Sequence, residues 1–216
     1  MVSPGDVPAL AAIFDLDGTI VDSEPRSAAA WRRAFEDHGL AHDEAVIRSF
    51  IGRRGVDILA VLARTYPGLD PERLMARARW HGDAPDLAPD GPLPGAVDLV
   101  RQIHDHGRPL GLVTSASRPY AERTLDKLGL LEFFSVVITA EDVHAGKPDP
   151  EGFRAAGLAL GVDPASCVVF EDAPAGVTAA KAAGMRCVAV ATTHDPADLA
   201  SADLVVADLT KITWPP

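Results

Sequence analysis

Beyond residue 95 the chain switches regularly between short apolar runs and longer stretches whose apolar positions recur every three or four residues. Runs of the first kind read as strands and stretches of the second kind as helices. The pattern predicts helices over Ala96–His106, Pro119–Leu128, Pro150–Leu160 and Pro174–Ala183. Strands are predicted at Pro109–Val113, Val136–Thr139, Cys167–Phe170 and Cys187–Ala191, with room for a last one at Leu204–Val206. Gly129, Gly161 and Gly184 stop three of the helices, as glycine does where the chain must turn left-handed. An earlier apolar run ends at Ile13-Phe14. Strands separated by helices of this length imply a parallel sheet covered on both faces, an α/β Rossmann-like core.

The alternation breaks between residues 24 and 91. Helical patterns occur there at Arg26–His38, Asp43–Phe50, Val56–Tyr66 and Pro71–Trp80, with no convincing strand, and a Pro/Asp-rich link runs from Asp83 to Pro92. The simplest organisation is an α/β core domain of residues 1–23 and 92–216, interrupted by an all-helical domain at 24–91. Such an insert leaves directly after the first strand. It is expected over the strand ends, where α/β proteins bind ligands.

Apolar residues make up 47% of the 216, enough for a large core, and the net charge is −11. With no long basic run, a nucleic-acid partner is not expected, because such binding rests on phosphate neutralisation by Lys and Arg. A small phosphorylated metabolite is compatible, since one local cation can hold one phosphate in an acidic protein. Ala9–Phe14 is too short to span a membrane, and no charged region of the kind that opens a signal peptide precedes Arg26. The two cysteines, Cys167 and Cys187, lie in apolar runs and read as buried free thiols. A cytoplasmic protein without membrane contact, a monomer or weak homodimer, is expected.

Four short motifs fall at or just after predicted strand ends. In Ile13-Phe14-Asp15-Leu16-Asp17-Gly18-Thr19 an apolar run ends in two acids at i and i+2, which point the same way if the strand stays extended. Two close carboxylates are tolerated when a cation sits between them or one is protonated, which fits a Mg²⁺ site with a carboxyl free for proton transfer. In Gly111-Leu112-Val113-Thr114-Ser115 a strand ends in two hydroxyls ahead of a helix, a phosphate-binding arrangement, or simply a helix cap. Gly146-Lys147-Pro148-Asp149-Pro150 holds a lysine on a stiff loop, able to neutralise phosphate charge. Val168-Val169-Phe170-Glu171-Asp172-Ala173-Pro174 ends another strand in two acids. Capping again competes, but two such acid pairs exceed what capping needs and offer oxygens for a hard cation.

In this order the four motifs resemble those of the haloacid dehalogenase superfamily, in the subgroup with a small helical cap after the first motif. The resemblance covers about Ala9 to Asp208. It implies that Asp15 is a nucleophile forming an aspartyl-phosphate, and that Asp17 protonates the leaving oxygen and then activates water. It implies Mg²⁺ held by the Asp15 carboxylate, the Asp17 carbonyl and Asp172, with Glu171 assisting directly or through water. Thr114, the Ser115 amide and Lys147 would hold the non-reacting phosphate oxygens. An acid at position 17 favours phosphate esters, because relatives that cleave C–Cl or C–P bonds generally lack one there.

Val137-Ile138-Thr139-Ala140-Glu141-Asp142-Val143 and Thr192-Thr193-His194 look like the sugar and polyol phosphatases of that superfamily. The β-phosphoglucomutase branch shares fold, cap and motifs, but it carries a histidine early in its first cap helix where this chain has Ser27. A non-catalytic phosphometabolite binder is the third reading, and the intact Asp15, Asp17, Lys147 and Asp172 speak against it. Within the cap, Arg53 and Arg54 after Gly52 are the specificity candidates, with Arg26 a weaker one. Trp31, Tyr66 and Trp80 read as cap core. His144 reads as an ordinary loop residue near Lys147, and His104 and His106 as residues closing a helix. His38, His42, His81 and His194 read as surface positions.

Overall fold

The computed structural model describes residues 8–216; residues 1–7, which the sequence reading places in the core domain, lie outside them. Six parallel strands form one sheet in the order β5-β4-β1-β6-β7-β8. They are β1 (Ala11–Phe14), β4 (Leu110–Val113), β5 (Phe134–Ile138), β6 (Cys167–Glu171), β7 (Arg186–Val190) and β8 (Leu204–Val206). The first strand in sequence therefore lies inside the sheet, with Ile13 beside Gly111 on one flank and Val169 on the other.

Alternation along the strands sends successive side chains to opposite faces. Ala12, Phe14, Val168 and Phe170 meet α5 (Ala96–Asp105) and α6 (Arg118–Lys127) through Leu99, Ile103 and Leu125. Ala11, Ile13, Cys167 and Val169 meet α7 (Glu151–Leu160) and α8 (Pro174–Ala182) through Phe153, Ala156 and Val177. Phe14 stacks on Phe170 at 4.5 Å and meets Phe134 edge-on at 6.2 Å, geometries that aromatic quadrupoles favour. Both cysteines are free and buried, and burial first of all pushes the Cys167 thiol up to about 11.

The described chain divides into two compact units, residues 8–21 with Pro92–Pro216, and Asp22–Gly91. It leaves the sheet unit through β2 (Val21–Asp22) and returns through β3 (Gly91–Pro92), which pair with each other. The second unit holds α1 (Glu24–Asp37), α2 (Glu44–Arg48), α3 (Gly55–Thr65) and α4 (Pro71–Gly82). Its core joins Trp31, Phe35, Phe50, Leu62 and Leu74, with Tyr66 packed against it. Asp43 and Asp70 cap α2 and α4 by accepting backbone N–H groups of the first turn, satisfying donors that a helix start leaves over.

Three expectations about this unit need correction. Trp80 is not core: it is 60% exposed, with the Arg77 guanidinium 4.0 Å from its ring centre. His81 takes the inward place instead, buried with Nε2 2.7 Å from Asp37 Oδ2. The spacing alone did not reveal which of these neighbours faces the helix pair, because the stripe is set by where α1 crosses α4. Arg26 is not left for a ligand: its guanidinium donates to the carbonyls of Gly82, Ala84, Leu87 and Ala88 and ties α1 to the return link.

Candidate active site

All four motifs of the sheet unit follow the carboxyl ends of β1, β4 and β6 or the loop before α7. The Asp15 N–H still bonds the Phe170 carbonyl at 3.0 Å, so the ladder carries Asp15 to the edge beside Glu171. Asp15, Glu171 and Asp172 are all buried, and each offers an oxygen within 4.8 Å of the others. Lys147, its side chain only 7% exposed, donates from Nζ to Asp15 Oδ1 and to Glu171 Oε1.

Each member of this cluster is fixed by its neighbours. Glu171 Oε2 accepts the N–H groups of Asp172 at 2.9 Å and Ala173 at 2.8 Å. The Asp172 carboxyl accepts the Thr19 hydroxyl at 3.1 Å on one oxygen and the Thr193 hydroxyl on the other. Glycine is required at two positions around them. A Cβ on Gly18, whose φ is +83°, would lie 2.2 Å from Asp172 Oδ2, and one on Gly176 would lie 1.8 Å from Glu171 Oε1. The Lys147 loop is clamped by Glu151, whose carboxylate accepts the N–H groups of His144 at 3.0 Å and Ala145 at 2.8 Å. His144 is correspondingly a solvent-facing loop residue, its ring bonded to Glu151 at 3.1 Å.

Neither competing capping assignment holds. The residue that precedes α6 is Ser117, and that which precedes α8 is Ala173; neither residue caps its helix with its own side chain. Thr114 is buried, its Oγ1 accepting the Ala116 N–H at 3.0 Å within the strand-to-helix turn. The start of α6 is instead held by the Thr139–Asp142 turn, through Arg118 to Asp142 at 2.5 Å and the Arg118 N–H to Glu141 at 3.1 Å. Ser115 follows Thr114 in the same turn.

Burial, aided by the charges of Glu171 and Asp172, raises the Asp15 carboxyl well above its usual range despite the opposing Lys147. Burial, then the Glu171 charge, pushes Asp172 up to about 8. Burial alone would lower Lys147, but the facing Asp15 and Glu171 carboxylates outweigh it and the ammonium is held charged. One lysine thus faces three buried carboxyl groups. Such an oxygen-only, net-negative donor set fits a hard divalent cation.

Asp17 is not in this triad. Its carboxyl lies in the turn after β1, where Oδ1 accepts the Tyr120 hydroxyl at 2.9 Å. Arg53 and Arg54 belong to the helical unit: Arg53 Nε donates to the Ser49 carbonyl at 2.7 Å, and Arg54 pairs with Asp57 at 3.0 Å. Sequence reasoning missed Thr19, Tyr120 and Glu151. Thr19 stood inside the first motif, and Thr193 inside a run noted only for its likeness to sugar phosphatases. Tyr120 and Glu151 sit in ordinary first turns of helices and carry no local signal.

A family model described as haloacid dehalogenase-like hydrolase matches residues 10–184. The chain belongs to that family. It is 45% identical over 204 residues to validoxylamine A 7′-phosphate phosphatase of Streptomyces hygroscopicus subsp. limoneus, covering 94% of this chain and 96% of the relative. It is 37% identical over 201 residues to hexitol phosphatase A of Escherichia coli, covering 93% and 92%. Among solved structures, a β-phosphoglucomutase assigned by similarity from Thermotoga maritima superposes with a TM-score of 0.72 at 31% identity, covering 91% and 93%. Within the family, this chain is a phosphatase.

Proposed function

We propose that the protein hydrolyses phosphate monoesters of small sugars, polyols or sugar-like alcohols through an aspartyl-phosphate on Asp15, with Mg²⁺ as its cofactor. The observation that carries this reading is the buried contact of Lys147 with Asp15 and Glu171 at the sheet edge. In the first half-reaction an Asp15 oxygen bonds phosphorus while the ester P–O bond breaks, and Asp17 gives its proton to the leaving alkoxide. In the second, water attacks the same phosphorus, its proton passes to Asp17, and Asp15 is released. Lys147, Thr114 and the Ser115 amide hold the non-reacting oxygens, whose charge must be matched as the phosphoryl group transfers. Asp15, Asp172 and the Asp17 carbonyl, with Glu171 in support, would hold Mg²⁺, which supplies further charge neutralisation when bound. The helical unit, taken as a cap with Arg53 and Arg54, sets substrate choice.

Substrate class comes from the relatives, one named for a 7′-phosphate of validoxylamine A and another for hexitol phosphates. Small-metabolite chemistry and buried free thiols support a cytoplasmic location, and we take the protein to be a monomer or weak homodimer. Similarity to the Thermotoga maritima protein keeps a second reading, a mutase that returns the phosphoryl group to a sugar.

The test incubates purified protein with Mg²⁺ and a panel of hexose, hexitol, glycerol and validoxylamine A 7′-phosphates, measuring free phosphate and isomers together. Phosphate release abolished by EDTA is expected. Isomerisation of β-glucose 1-phosphate with little free phosphate would replace this reading by the mutase. Phosphosugar binding with no turnover would make the protein a binder.

A further inference from the structure

Tyr120 stands in the first turn of α6, 103 residues from Asp17, and its hydroxyl reaches Asp17 Oδ1 at 2.9 Å. Nothing in the motif carrying Asp17 calls for this contact; it exists because β4 lies beside β1 and delivers the start of α6 to the turn after β1. The ring packs against the apolar cluster that contains Phe14 and Leu125, so the phenol is anchored at its base. A tyrosine has only two side-chain torsions to freeze, which makes it a low-cost fixed donor.

We infer that Tyr120 is a positioning residue for proton transfer: its hydroxyl holds the Asp17 carboxyl in the plane from which it delivers a proton to the leaving oxygen. This rests on the role given to Asp17 above. An aspartate on a glycine-containing turn can rotate about both side-chain torsions, and proton delivery demands hydrogen-bond reach of one oxygen. A bond to Oδ1 narrows that freedom. The phenol is both donor and acceptor, so it can stay bonded while Asp17 gives up a proton in one half-reaction and takes one back in the other. Its own proton is not consumed.

The leaving group separates this role from packing. A sugar or hexitol alkoxide needs a proton as it departs, whereas 4-nitrophenolate leaves without one. The value of kcat/KM reports steps up to phosphoryl transfer, before water attack. Tyr120→Phe keeps the ring and removes one oxygen, and Asp17→Asn serves as reference. With hexitol phosphate, Tyr120→Phe is expected to lower kcat/KM about 10- to 100-fold through kcat, with KM little changed. With 4-nitrophenyl phosphate the loss is expected to stay below about threefold, which also shows that the variant is folded. Equal losses on both esters, or none on either, would overturn the inference. A leaving-group-selective loss in Asp17→Asn without one in Tyr120→Phe would overturn the positioning role and leave Asp17 as the acid. If Asp17→Asn itself shows no such selectivity, the acid assignment fails and the inference with it.

Discussion

Both units carry ion pairs at their surfaces, but the sheet unit also gathers charged groups in its interior. In the sheet unit Lys147, Asp15 and Glu171 are almost wholly withdrawn from solvent and face one another. In the helical unit Arg32 with Glu44, Arg33 with Asp86 and Arg77 with Asp37 stay solvent-accessible, and where His81 or Arg54 turns inward its carboxylate partner, Asp37 or Asp57, remains accessible. Exposed pairs of that kind contribute little, and their loss is absorbed by water. Buried carboxyls around one lysine are costly to keep, and a fold retains them where their chemistry is needed. The difference supports the proposal that the sheet unit carries the reactive chemistry, while the helical unit packs four helices around Trp31, Phe35 and Leu74.

The largest expected effect is on Asp15. Asp15→Asn conserves shape but removes the nucleophile, and turnover of a hexitol phosphate is expected to fall by about 10⁴-fold or more. An unchanged far-UV circular dichroism spectrum should accompany it; near-normal phosphate release would remove Asp15 from the chemistry and erase the contrast between the units. Next comes Lys147→Ala. Loss of a fixed cation facing transferring charge typically costs about 10²–10³ in kcat. A variant that changes only KM would mean that Lys147 binds substrate without acting in the transition state.

The helical unit should respond more weakly and selectively. Arg54→Ala is expected to alter kcat/KM by about tenfold, with different ratios for hexitol, glycerol and hexose phosphates. Uniform, wild-type ratios across the panel would leave Arg54 as a helix-start residue paired with Asp57 and nothing more.

The smallest effect concerns pH. Backbone N–H groups of His144 and Ala145, with the His144 ring, hold the Glu151 carboxyl down at about 2 from its usual 4.5. A depressed folded pKa means that stability is present above the unfolded value and is lost as pH falls through the folded one. Melting temperatures of wild type and Glu151→Gln should therefore differ near neutrality and converge as pH falls from about 4.5 toward about 2. A gap independent of pH would show that Glu151 packs the Lys147 loop without its charge mattering.

Much of the architecture was readable because it is local. Apolar runs bounded by glycine and proline marked β4, β6 and β7 to within a residue or so, and proline marked the opening turns of α4, α6 and α8. Strand-end acids were visible as well, since Asp15, Glu171 and Asp172 follow apolar runs directly. The side on which a helix is buried was less readable. Trp80 and His81 are adjacent, and only the α1–α4 crossing decides which of them turns inward.

By itself, the sequence determined the elements, their order and the residue types waiting at the strand ends, because each depends on neighbours a few positions away. Tertiary structure alone decided the pairings: Lys147 to Asp15 across 132 residues, Thr19 to Asp172 across 153, Tyr120 to Asp17 across 103. The physical reason is strand order. By inserting β1 between β4 and β6, with β5 beyond β4, the sheet brings four distant loops to one edge, and no periodicity within any of them records that meeting.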